Sequence, residues 1–228
     1  MARPMDPARR TILRDAASVG IACGVYGVSF GVLAVAAGAS VAQAMALSLL
    51  VFTGASQFAF VGVIAGGGGA AAAVAPALML AARNGIYGLS LAPVLTGSRL
   101  ARLLQSQLVI DESTAMAQAQ DSPERARTAF LFTGLSVLLF WNVGTLAGAL
   151  AGGGIGDPRD LGMDAMFPAA FLALLSPQLR RPGAPRAAVI GALIAGALVT
   201  NTPPGIPIVA AIGALIPAAL ATRRMVAA

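Results

Sequence analysis

The sequence predicts an all-α, polytopic membrane protein with about seven hydrophobic segments, arranged as two structural repeats with broken helices. Three observations carry this. Apolar runs long enough to cross a bilayer recur from Ala16 to the C-terminus, where a hydrocarbon core of about 30 Å requires roughly 20 apolar helical residues. Only 11% of the 228 residues are charged, against roughly 25% in a soluble domain, and the mean hydropathy is +0.82. The arginines collect between the apolar runs, as in the cytoplasmic loops of membrane proteins.

Residues 1–15 form an N-terminal tail carrying Arg3, Arg9, Arg10 and Arg14. The apolar run that follows, about 16–38, exceeds the roughly 7–15 residues of a signal-peptide core and is read as an uncleaved first membrane helix. Further segments lie at about 42–66, 70–97, 129–151, 162–178, 187–201 and 205–222. The polar stretch 98–128 reads as a cytoplasmic linker between a first membrane half (16–97) and a second (129–222), with a short tail at 223–228.

Positive charge then tests the topology. The N-terminal tail, the linker, the loop with Arg180, Arg181 and Arg186, and the tail with Arg223 and Arg224 should all face the cytoplasm. Seven complete crossings cannot satisfy this. Parity is restored if the third segment breaks at Arg83-Asn-Gly85-Ile-Tyr-Gly88 into a tilted pair or re-entrant hairpin. Asn201-Thr-Pro203-Pro204-Gly205 offers a matching interruption. Aligning Gly27 with Gly144 also brings Gly31 onto Gly148, Asn84 onto Asn201 and Gly88 onto Gly205. Interrupted helices in corresponding positions of two repeats are a transporter signature.

Composition excludes much chemistry. Every basic residue is Arg, and no His is present, which removes the commonest metal ligand and proton shuttle. Cys23 stands alone, so no internal disulfide or cysteine metal cluster forms. Neither a metal nor a cofactor is expected. No Walker, HExxH or Ser/His/Asp pattern occurs, so an enzyme is not expected. The basic residues form no aromatic-interleaved stripe, which argues against nucleic acid.

Gly20, Gly24, Gly27 and Gly31, like Gly144, Gly148, Gly152 and Gly156, have the small-residue spacing that lets helices approach closely in lipid. Charges within apolar runs are costly and mark function. Arg83 and Asp164 qualify, Arg83 being expected to bind a substrate carboxylate or to pair with Asp164. Gln57, Asn84, Asn142 and Asn201 supply candidate polar contacts for a solute, although each amide could equally bond helix to helix. In a cytoplasmic linker, Asp111-Glu112 defaults to a solvated or helix-capping pair.

Taken in order, Gly27-Val-Ser-Phe30-Gly31, Phe52-Thr-Gly54-Ala-Ser-Gln57-Phe58, Arg83-Asn-Gly-Ile-Tyr87-Gly88-Leu-Ser90-Leu-Ala-Pro93, Asp111-Glu112, Trp141-Asn-Val-Gly144-Thr145-Leu-Ala-Gly148 and Leu161-Gly-Met-Asp164-Ala-Met-Phe167-Pro168-Ala-Ala-Phe171 resemble the AzlC-type branched-chain amino acid permease family. The resemblance implies export of valine, leucine or isoleucine across a bacterial inner membrane, together with a small AzlD-type membrane subunit. Many relatives place a His directly after the Arg matching Arg83, often with an Asn two residues before that Arg. Here those positions are Asn84 and Ala81. Ion coupling then falls to Asp164, or else to Asp111 or Glu112. The rival readings are a non-transporting assembly subunit and a transporter of a different small solute.

Overall fold

The computed structural model describes residues 6–154, 169, 172, 175–176 and 178–218, and the described residues are helical with no strand. Asp164 and Gly156 lie outside them. The helices are α1 (Pro7–Ala36), α2 (Val41–Leu50), α3 (Ala55–Ala65), α4 (Ala70–Ser90), α5 (Arg99–Ser106), α6 (Asp111–Gln118), α7 (Pro123–Gly152), α8 (Ala184–Leu198) and α9 (Ile206–Ala211). They form two compact units, Met1–Gln57 with Ala81–Gly156, and Phe58–Leu80 with Asp157–Ala228.

The first unit is organised by α1 and α7, each 30 residues long and apolar enough to cross a membrane. At 1.5 Å per residue each spans about 45 Å, more than the hydrocarbon core. Their starts are built alike. Asp6 Oδ1 accepts from the Ala8 N–H at 3.2 Å, Ser122 Oγ accepts from the Arg125 N–H at 3.4 Å, and a proline follows each cap. Proline is well placed there because its missing N–H has no helical partner to lose.

The expected glycine stripes are the packing surface. A methyl on Gly24 would meet the Phe140 carbonyl at 3.0 Å, one on Gly27 the Trp141 carbonyl at 2.5 Å, and Gly144 and Gly148 rest on the backbone of Gly24 and Val28. Residue numbers rise together along this contact, from Gly20 at Ser136 to Val32 at Gly152, so the helices run parallel. Their N-termini therefore share one end, where Asp6, Arg9 and Ile12 border a cleft with Asp121, Ser122 and Thr128.

The other faces of α1 and α7 carry exposed Ile21, Val25, Leu135, Leu139, Val143 and Leu150. Small residues inside and large apolar residues outside is the pattern suited to lipid. Ser48 of α2 donates to Thr145 Oγ1 at 3.1 Å in a buried contact with α7.

Two findings differ from expectation. The third hydrophobic segment is not broken at Arg83–Gly88: α4 runs unbroken from Ala70 to Ser90. Glycine costs a helix only about 1 kcal/mol relative to alanine, and within α4 no proline follows Pro76. The second segment, expected to be regular, is interrupted instead. α2 stops at Leu50 and α3 starts at Ala55, with Gly54 at φ +65 between them.

The 98–128 stretch is not simply solvated. It folds into α5 and α6, and α6 packs on α7. Leu108, Val109, Ala117, Leu91 and Phe130 form a buried cluster there, and a methyl on Gly134 of α7 would lie 2.7 Å from Leu108 Cβ.

In the second unit the expected interruption at Asn201–Gly205 is present between α8 and α9. Gly205 takes φ +96, and a methyl there would lie 2.7 Å from the Ala72 carbonyl oxygen.

Candidate functional site

The interrupted second segment builds the site. Ending a helix at Leu50 frees carbonyls that need partners. Gln57 supplies one, with Nε2 donating to the Leu47 carbonyl at 2.9 Å while Oε1 accepts from the Gly54 N–H at 3.0 Å. Fully buried Gln57 is thus spent on holding the break closed, and Thr53 and Ser56 pair through their hydroxyls beside it. Unwound backbone at membrane depth is tolerated where it lies within protein or lines a cavity.

Here it does line one. A cleft of about 430 Å³ is bordered by Leu50, Val51, Phe52 and Thr53 of the break, by Asn84, Gly85 and Gly88 of α4, and by Leu95, Ser106, Gln107 and Val109. The volume falls in the roughly 300–1,000 Å³ range of small-molecule sites. Leu50, Val51, Phe52, Leu95 and Val109 give it an apolar side, and one polar group in its walls is a buried atom without a protein partner, Asn84 Oδ1. A methyl on Gly85 or Gly88 would meet nothing within 4 Å, so these two glycines leave room rather than closing a helix contact.

Arg83, one residue before Asn84, joins this cleft to α6. Its Nη2 lies 2.7 Å from Asp111 Oδ2 and donates to the Thr53 carbonyl at 3.4 Å. Both side chains of the ion pair remain about a third exposed, at 33% and 36%, and Arg83 Nε is buried without a hydrogen-bond partner. Next in line, the Cys23 thiol of α1 donates to Glu112 Oε1 at 3.7 Å. Asp111 and Glu112 occupy the first turn of α6, where carboxylates complement the helix dipole. Helix-end placement was anticipated; proximity to Arg83 was not, because Asp164 was the partner considered.

Of the remaining candidates, Asn142 donates from Nδ2 to the Leu138 carbonyl of its own helix at 2.7 Å, leaving a buried Oδ1 without a partner. Asn201 is exposed in the turn after α8, in the second unit. The structure therefore gathers Arg83, Asn84, Asp111, Glu112 and Gln57 within the first unit. Thr53, Gly85, Gly88 and Val109 were missed as lining residues. The available signal was Thr53-Gly54 interrupting an otherwise apolar run.

Comparison with known proteins gives two matches. A family profile described as AzlC protein matches residues 18–155, more than half of the chain and all of the first unit's cleft. A relative from Helicobacter pylori (strain ATCC 700392 / 26695), described as an uncharacterized membrane protein, is 25% identical over 173 residues, 75% of each chain. No solved structure matches.

Proposed function

The chain belongs to the AzlC protein family, and on that premise we propose that it exports branched-chain amino acids across the bacterial inner membrane, with both termini cytoplasmic. A small AzlD-like membrane subunit completes the exporter. The observation that carries this reading is the cleft at the α2–α3 break, where an apolar side formed by Leu50, Val51, Phe52, Leu95 and Val109 meets one unpartnered amide oxygen. Asn84 Oδ1 accepts from the substrate ammonium. Leu50, Val51, Phe52, Leu95 and Val109 enclose an aliphatic side chain, whose burial is favourable by about 1.5–3 kcal/mol for a residue of valine or leucine size. Arg83 meets the carboxylate by exchanging Asp111 for it. Asn142 stands outside the cleft lining, and Asn201 belongs to the second unit.

Efflux of preloaded labelled valine, leucine and isoleucine, from cells expressing the chain with and without the small subunit, tests this. Efflux that needs both chains and is lost in Asn84→Leu, with the complex still in the membrane, is the expected result. Unchanged efflux in Asn84→Leu would remove the cleft from the account.

A further inference from the structure

We propose that α5 is an interfacial helix that binds anionic lipid. Leu100, Leu103 and Leu104 enter the bilayer among the first acyl carbons, and Arg99 and Arg102 hold the phosphate of the headgroup beside them. This needs the chain to lie in a membrane and is independent of the solute it carries.

α5 has three sides. With 3.6 residues per turn, Ala101 and Gln105 share one, Leu100, Leu103 and Leu104 a second, and Arg99, Arg102 and Ser106 the third. The first faces the protein. Gln105 is buried; its Nε2 donates to the Thr96 carbonyl at 2.9 Å, and its Oε1 accepts from Arg127 Nη1 at 3.4 Å. Gly97 turns the chain into the helix at φ +105, and Ser98 Oγ caps it by accepting from the Ala101 N–H at 3.2 Å. These contacts fix the rotation of the helix, and with it the two outward sides. Leu100, Leu103 and Leu104 stand 65%, 67% and 66% exposed. Arg99 and Arg102 are exposed too, and among the described residues neither has an ion pair or hydrogen bond.

Depth selects the occupant. α7 is 30 residues long. Centred on a core of about 30 Å, a helix of about 45 Å extends roughly 7 Å beyond it at each end. Arg127 lies roughly 6 Å from the start of α7 at 1.5 Å per residue, so its partner Gln105 is held at the edge of the core. Leu108 then meets Gly134, about 16 Å along α7 and within the core. α5 is therefore stationed at the boundary, just before the chain turns inward, at the end of the unit where α1 and α7 begin.

The leucine side also continues beyond α5. Gln107, one turn after Leu103, donates from Nε2 to the Leu49 carbonyl at 2.8 Å, and Leu49 and Leu50 are themselves exposed. An apolar side flanked by basic residues is the pattern of a helix lying in the interface plane. A phospholipid presents acyl chain and phosphate to these two sides at once, and the guanidinium fork matches phosphate oxygens. Two unneutralised cations favour a headgroup with net negative charge over a zwitterionic one. A protein partner would have to bring both an apolar face and carboxylates to the same membrane edge.

The test places a fluorophore on Leu103→Cys in a Cys23→Ser background, using the complete chain in vesicles of phosphatidylcholine and phosphatidylglycerol. Nitroxide carried near the headgroup end of an acyl chain should quench it strongly, nitroxide at the far end weakly, and aqueous iodide hardly at all. With the nitroxide on a minor lipid component, phosphatidylglycerol should quench at lower mole fraction than phosphatidylcholine, each arginine contributing an enrichment of about fivefold. That preference should shrink as salt is raised and vanish in Arg99→Gln with Arg102→Gln, while quenching by labelled phosphatidylcholine stays the same. Retained phosphatidylcholine quenching shows that the double variant still seats its helix. Equal quenching by the two lipids in the unsubstituted arginine background would overturn the anionic site. Quenching by iodide instead of lipid would overturn the interfacial placement. Loss of lipid quenching on adding the small membrane subunit would assign the face to that subunit and overturn the proposal as well.

Discussion

Arg83–Gly88 and Asn201–Gly205 look alike as sequence, an amide and a glycine inside apolar runs, yet only the second interrupts a helix. Pro203 and Pro204 remove two consecutive backbone donors and bias the preceding residue away from helix. Gly205 then turns the chain at φ +96 against the Ala72 carbonyl. Gly85 and Gly88 keep ordinary helical conformation and border open space. In one stretch glycine bends the backbone, while in the other it makes room for something else. The lesson is that a glycine near a polar residue marks a place of interest without saying which service it performs.

Substitutions sharpen this contrast, beginning with the largest effect. Arg83→Ala should abolish efflux and destabilise the first unit by about 1–3 kcal/mol. That is below the roughly 3–5 kcal/mol of breaking a fully buried pair, because a third of each partner is open. Arg83→Ala with Asp111→Ala should be more stable than Arg83→Ala alone, as measured by thermal unfolding in detergent.

Gly205→Ala and Gly85→Ala should then differ in sign. The first forces a side chain into left-handed backbone and against a carbonyl, costing about 1–3 kcal/mol. The second should stabilise α4 by up to about 1 kcal/mol while slowing efflux through a smaller cleft. Equal effects on unfolding temperature would erase the distinction drawn between the two stretches. Gln57→Leu should cost about 1–3 kcal/mol by leaving the Leu47 carbonyl and Gly54 N–H unsatisfied. Thr145→Val, which removes one interhelical hydrogen bond from Ser48, should cost only about 0.6 kcal/mol.

These residues also show where the sequence is legible. α1 and α7 could be read because apolar length and glycine spacing agree, and the glycines pack as their spacing suggests, whereas their capped starts at Pro7 and Pro123 lie upstream of the apolar runs. The break at 51–54 was hidden because Leu50, Val51 and Phe52 continue the apolar run and only Gly54 betrays it. Asp111 and Glu112 were read as a solvated or helix-capping pair because they lie in a polar linker. What draws them inward is Leu108-Val109-Ile110, all buried, with Ser113 Oγ accepting from the Ile110 N–H at 3.2 Å. Such long-range placement leaves no local periodicity to read. Arg83 was singled out from the cost of its charge, but the identity of its partner depends on how α6 packs.

The central claim is that the cleft beside the α2–α3 break holds the substrate. The direct measurement is thiol labelling of Gly85→Cys in a Cys23→Ser background, where the serine hydroxyl retains a donor to Glu112. Leucine, isoleucine and valine should slow labelling in proportion to concentration, while lysine and glutamate should not. Labelling indifferent to every branched-chain amino acid, in a complex that still exports them, would place the substrate elsewhere.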